Sequence, residues 1–199
     1  WLAEVKSIPD DKCISRKQIN ITIATRNNGS GHAIYIHIPR IKNPIPLFIA
    51  FRALGIISDK DICRYIILDI KKENMKKMLF ALKACIMEAE KYNTQEKALQ
   101  YIINNAMFTP INMGEEEGKQ KKKEFTENVL NKDLYPHCRN MKEKIYFMGY
   151  MTNKLLRTKF KWRKIDDRDS YKNKRVDLTG TLLNNLFRNY FNKLVKDMQ

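Results

Sequence analysis

Lys17-Gln18-Ile19-Asn20-Ile21-Thr22-Ile23-Ala24-Thr25-Arg26 and His32-Ala33-Ile34-Tyr35-Ile36-His37-Ile38-Pro39 are two runs in which isoleucine alternates with polar or small residues. A period of two puts every isoleucine on one face of a pleated strand. Between the runs lies Asn27-Asn28-Gly29-Ser30-Gly31, a strong turn signal. The pattern predicts an antiparallel hairpin, 17–26 with 32–39. Residues 1–7 are expected to add a third strand. Gly29-Ser30-Gly31 is no phosphate loop, because no Lys-Ser/Thr follows and no helix begins there.

Beyond the hairpin the period changes to that of a helix. Pro39, Pro44 and Pro46 make an extended entry. Leu47 to Leu54 then reads as a short apolar helix that Gly55 stops. Arg52 sits among its apolar residues and calls for a carboxylate or backbone carbonyls. Ser58-Asp59-Lys60-Asp61 resembles a capping box for a helix through about residue 69. Residues 73–92 carry Met75, Met78, Leu79, Leu82, Cys85, Ile86 and Ala89 at helical spacing, and Met75, Met78 and Met87 are expected in a core. Thr94 is placed to cap a helix bearing Ala98, Tyr101 and Ile102. Glu115-Glu116-Glu117 ahead of Lys119 and Lys121-Lys122-Lys123 suits a helix dipole and i,i+4 pairing, on a helix reaching about residue 132. Tyr135-Pro136-His137 breaks that helix, and residues 142–160 form another. The last helix carries a wide stripe of Leu182, Leu183, Leu186, Phe187, Tyr190, Phe191, Leu194 and Val195, which calls for a partner. The expected fold class is α+β, an N-terminal antiparallel hairpin or small sheet followed by a mostly helical body.

Composition narrows the function. The 199 residues suffice for one globular domain with a sizeable core, and 43% are hydrophobic. The longest apolar stretch, Ile45 to Ile57, is interrupted by Pro46, Arg52 and Gly55, and no run is long enough for a membrane span. A chain opening on Trp1 is expected to be a piece of a longer protein. The net charge of +16 fits a polyanionic partner, and equally a lysine-rich coding bias. Cys13, Cys63, Cys85 and Cys138 form no C-x-x-C pair, which argues against a zinc ribbon and fits a reducing compartment. No histidine lies in a nucleophile elbow or an H-E-x-x-H frame, and no Walker loop occurs.

The densest chemistry is Asp166-Asp167-Arg168-Asp169-Ser170-Tyr171-Lys172-Asn173-Lys174-Arg175-Val176-Asp177-Leu178-Thr179-Gly180. Three aspartates could suggest a two-metal site. The interleaved Arg168, Lys174 and Arg175 offer a simpler fate, ion pairing that fixes a loop. Arg52, Asp166, Asp167, Arg168 and Asp177 are the structural ion-pair candidates.

This run resembles a signature of the second-largest subunit of multisubunit DNA-dependent RNA polymerases. Other segments follow in the family's order. Leu2-Ala3-Glu4-Val5-Lys6-Ser7 is similar to the opening of that subunit's lobe domain. Ile45 to Asp59, with Phe51-Arg52-Ala53-Leu54-Gly55, is similar to a highly specific family segment. So are Leu134-Tyr135-Pro136-His137 and Phe147-Met148-Gly149-Tyr150-Met151-Thr152-Asn153-Lys154-Leu155-Leu156. Ser170 departs from the family's His, and Thr181 from its Pro.

The resemblance implies a lobe domain over 1–165, β-rich to 40 and helical over 45–160. Residues 166–199 would be a signature loop and helix leading toward the neighbouring protrusion and fork. It implies a non-catalytic part of a nucleotidyltransferase that faces downstream and non-template DNA. The implied partners are the largest subunit, a small zinc-bearing subunit and initiation factors. No metal or cofactor is expected in this chain, since the family's Mg²⁺ and Zn²⁺ sites lie elsewhere. Asp169, Asn173, Lys174 and Arg175 are the implied DNA-contacting residues; the alternative is that they pin the lobe to the fork. The implied compartment is the nucleus, or a cytoplasmic viral factory or virion. Two readings from other classes stay open: a free-standing basic nucleic-acid-binding or scaffold protein, and an interaction lobe without DNA contact.

Overall fold

A computed structural model describes residues 1–8, 16–25, 31–68, 75–109, 114–174 and 176–198. They fall into two compact units, Trp1–Arg163 and Lys164–Gln199. The first unit is α+β. Its four strands, β1 (Leu2–Ser7), β2 (Lys17–Thr25), β3 (His32–His37) and β4 (Ile45–Pro46), form an antiparallel meander in chain order. Val5 stands opposite Ile19, Ile21 opposite Ile36 and Ile23 opposite Ile34, so the isoleucines line one face. The other face is polar: Gln18 donates to Glu4 at 3.2 Å, and the Thr22 hydroxyl meets His37 Nε2 at 3.1 Å. The turn at 26–30 and Cys13 lie outside the described residues.

Six helices complete this unit: α1 (Leu47–Ala53), α2 (Asp59–Ile67), α3 (Lys76–Ala89), α4 (Gln95–Asn104), α5 (Glu115–Asn128) and α6 (Met141–Lys159). Every residue of α1 is buried, which is why its sequence shows no polar stripe. Gly55 ends α1 at φ 104°, donating to Arg52 O at 3.0 Å, while Ile56 N–H donates to Phe51 O at 3.1 Å. These are the two bonds of a Schellman turn, where glycine escapes the Cβ penalty. Cys63 and Cys85 are buried, and Cys85 Sγ accepts from Ile34 N–H at 3.2 Å. Thr94 caps α4 by accepting from Lys97 N–H at 3.3 Å. Lys119 pairs with Glu115 and Lys121 with Glu117, both at 2.7 Å.

Three expectations need correction. Ser58 is the N-cap of α2 but makes no side-chain cap bond; Asp59 turns instead to Arg52. Met87 points outward from α3, while Met75 and Met78 are in the core. The helix expected to reach residue 132 stops at Asn128 and widens into a π-helical turn, Val129–Asp133.

Two buried charges explain that wide turn. Asp133 is held by Lys17 Nζ of β2 at 3.2 Å and by Arg40 at 2.5 Å. Lys144, from the next helix, donates to Leu130 O at 2.9 Å and Asn131 O at 2.5 Å. The π-turn leaves carbonyls unpaired, and an ammonium from α6 takes two of them. Burial holds Lys144 below the usual lysine range.

The Gly149-Tyr150-Met151-Thr152-Asn153 segment is the seam between α6 and α2. A Cβ on Gly149 would lie 2.4 Å from Tyr65 O, so only glycine permits this approach. One turn on, Asn153 Nδ2 donates to Ile66 O at 2.8 Å, satisfying a carbonyl at the end of α2.

Candidate nucleic-acid interface

The second unit comprises a polar turn and the helix α7 (Thr179–Asp197). The turn is built around Asp167. Its carboxylate accepts from Asp169 N–H at 2.9 Å, an Asx turn. Its carbonyl accepts from Ser170 N–H at 3.4 Å and from Asn173 Nδ2 at 2.6 Å. Ser170 then receives Asn173 N–H on its carbonyl at 2.9 Å and Lys172 N–H on its hydroxyl at 3.4 Å. Asp and Ser side chains thus fold the chain back on itself within seven residues.

This geometry separates the roles of the four residues implied as DNA contacts. Asn173 spends its amide on the Asp167 carbonyl and organises the turn. Lys174 Nζ lies 3.0 Å from Asp169 Oδ1, and both side chains are exposed. An exposed pair of this kind holds together by about 0–1 kcal/mol, so a phosphate can draw the ammonium away at little cost. Arg175 lies outside the described residues. Among the structural candidates, Asp167 is the hub of the turn. Asp166 and Asp177 each engage in further interactions, and Arg168 is exposed with no ion pair among the described residues. Arg52 belongs to the first unit and is buried: it donates to Ala89 O, Tyr92 O and Asp59 Oδ1 at 2.5, 2.9 and 2.5 Å. Among the described residues no group of three or more His, Cys, Asp or Glu side chains is placed to hold a metal ion.

Thr181, the departure from the family's proline, is the third residue of α7 and donates its N–H to Leu178 O at 2.9 Å. Proline is tolerated in a first turn, so this change adds a donor and leaves the helix start intact. The apolar stripe of α7 forms as expected, and no residue of the helix is buried within its unit. No helix among the described residues is long and apolar enough to cross a membrane.

Two charged features escaped the sequence reading. The buried Lys144 and Asp133 looked like ordinary surface charges, with no local signal to separate them from their neighbours. The second is the outward face of α6. From Ile145 to Ile165 the sequence holds six Lys or Arg residues and no Asp or Glu, a bias that a charge count by window would have found.

The profile of the family described as RNA polymerase Rpb2, domain 2, matches residues 6–177. The chain is 34% identical over its whole length to DNA-directed RNA polymerase II subunit RPB2 of Schizosaccharomyces pombe. It is likewise 34% identical over its whole length to DNA-directed RNA polymerase II subunit 2 of Arabidopsis thaliana. It is 31% identical over 99% of its length to DNA-directed RNA polymerase subunit 2 of Acanthamoeba polyphaga mimivirus. It spans only 16–17% of the length of these relatives. Strands β2 to β4, the α2–α6 seam and the polar turn lie within a family match that takes in 172 of 199 residues, and the chain belongs to the RNA polymerase Rpb2 domain 2 family.

Proposed function

We propose that this chain is the lobe domain of the second-largest subunit of a DNA-directed RNA polymerase, a non-catalytic part of a nucleotidyltransferase. The family match over residues 6–177 carries this reading. The domain borders downstream and non-template DNA, packs against other polymerase subunits and offers a surface to transcription factors. Lys174 and Arg175 neutralise phosphates, Asp169 orients Lys174 between encounters, and Asn173 fixes the turn that presents them. The net charge of +16 and the exposure of the Asp169–Lys174 pair support this division of labour. With relatives in eukaryotic polymerase II and in a giant virus, the protein works in a nucleus or in a viral factory or virion.

The mass of the native gene product, detected with an antibody against this domain, tests the reading. A band far larger than the 23.6 kDa of this chain, co-purifying with transcription activity, is the expected result. A native band at the chain's own mass would make it a free-standing basic protein instead.

A second prediction concerns the turn. In the native assembly, Lys174→Ala with Arg175→Ala is expected to weaken forked-DNA binding and reduce the slope of log K against log salt by roughly two. The melting temperature should stay unchanged, because both side chains of the Asp169–Lys174 pair are exposed. Unchanged binding with a lower melting temperature would assign the cluster a purely structural role.

A further inference from the structure

We propose that the outward face of α6 and the turn that ends it form a binding track for single-stranded nucleic acid. In it Tyr146, Tyr150 and Trp162 stack on bases, and Lys154, Arg157 and Lys161 meet phosphates. The site is separate from the 164–178 turn, lies wholly within the first unit, and does not depend on the polymerase reading.

The spacing comes first. Tyr146, Tyr150, Lys154 and Arg157 follow one another at intervals of four, four and three, so they share one arc of the helix. Tyr146 and Tyr150 are 59% and 50% exposed, although both are large enough to dominate a core. Four residues of helix rise about 6 Å, close to the separation of neighbouring bases in an extended strand.

The rings are held in place from behind. Tyr146 stands edge-to-face against Tyr65 with centroids 4.9 Å apart, and Tyr150 is backed by Phe147 at 6.1 Å. Rigid, exposed aromatic rings lose little entropy when a base stacks on them.

Among the described residues the track's three cations have no carboxylate partner. Lys119, Lys121, Arg64, Arg52, Lys17 and Arg40 all pair with carboxylates. Lys154 instead lies 4.8 Å over the Tyr150 ring, and no ion pair of Lys154, Arg157 or Lys161 is found among the described residues. The acid-free stretch from Ile145 to Ile165 explains why, and a line of phosphates is the complement of its charge.

The end of the helix carries the same chemistry onward. Lys161 N–H donates to Thr158 O at 3.0 Å and Trp162 N–H to Arg157 O at 2.9 Å, a Schellman turn that folds the indole back beside Phe160. Lys161 adopts φ 60° at the position where glycine is the unstrained choice. The lysine there, next to a Trp 40% exposed, puts charge and ring at the mouth of the track. Interleaved cations and stacking rings are how proteins grip single strands without reading sequence.

The test uses the native gene product in its native assembly, with a fluorescent 15-mer of thymidylate and the matching duplex as probes. Tyr146→Ala with Tyr150→Ala is expected to weaken the single strand about tenfold or more and the duplex little. The Phe pair at the same positions keeps the ring faces and should bind within about twofold of wild type. Lys154→Ala with Arg157→Ala should lower the single-strand salt slope by about 1.4. A 5-iododeoxyuridine oligonucleotide should crosslink to Tyr146, Tyr150 or Trp162. Wild-type affinity in the Ala pair, or crosslinks confined to other segments, would overturn the proposal. So would loss of a co-purifying acidic protein from the Ala pair with oligonucleotide binding intact, which would give the face to a protein partner. The native mass is read separately, so this site and the polymerase assignment fail independently.

Discussion

Gly149→Ala is expected to lower the unfolding free energy of the first unit by about 3 kcal/mol, read from urea denaturation. At an unconstrained helical position the same change stabilises, because glycine costs about 1 kcal/mol relative to alanine in a helix interior. Here the sign reverses. The new Cβ would sit 2.4 Å from the Tyr65 carbonyl oxygen and 2.9 Å from its carbon. Both atoms are backbone, so no side chain can rotate away, and α2 and α6 must separate. Separation also pulls Asn153 from Ile66 O, leaving a buried carbonyl without its donor. Gly180 is the control: its Cβ would meet nothing within 4 Å, and alanine there should be neutral or mildly stabilising. An equal loss at both positions would show that the seam is not what Gly149 protects.

The strands and most helices were legible because their signal is periodic and local. Ile19, Ile21 and Ile23 announce a half-buried strand whatever they pack against. Thr94 announces a helix start because its cap bond spans three residues. What stayed hidden depends on contacts between distant segments. Asp133 reads as a surface carboxylate until β2 brings Lys17 to it and the loop after β3 brings Arg40. Lys144 is one lysine among many until the π-turn offers it two carbonyls. Met87 shares the helical spacing of the core residues, yet α3 packs with that edge outward. At the interface, the sequence marked the turn at 166–177 by its charge density but could not divide its labour. That division needed the bond from Asn173 to the Asp167 carbonyl, which removes one candidate ligand and leaves Lys174 exposed. The α6 face was missed for another reason: its rings sit at the period of an ordinary amphipathic helix, and only their exposure sets them apart.

Arg52→Met should cost about 3 kcal/mol, yet leave the salt dependence of DNA binding untouched in the folded protein. Both halves follow from where the guanidinium sits. Arg52 is 4% exposed and stands between the end of α3 and the start of α2. One nitrogen donates to Tyr92 O and to Ala89 O, which also accepts Tyr92 N–H at 2.9 Å where α3 ends; the other donates to Asp59 at the first position of α2. Removing one partner of a buried pair costs about 3–5 kcal/mol. The lower end applies because the Asp59 side chain is 39% exposed and can recover water. Lysine does not substitute: a single ammonium lacks the planar fork that reaches carbonyls on one side and a carboxylate on the other. Arg52→Lys should therefore fall nearer to Met than to wild type. Asp59→Ala leaves the buried cation with its two carbonyls alone. The double variant should cost less than the sum of the singles by about 1–2 kcal/mol, the signature of a shared contact. A guanidinium this enclosed cannot displace counterions from phosphate, so the salt slope should not move. A slope that fell by one in Arg52→Met, with the fold intact, would make Arg52 a DNA contact and not the clasp of three helices.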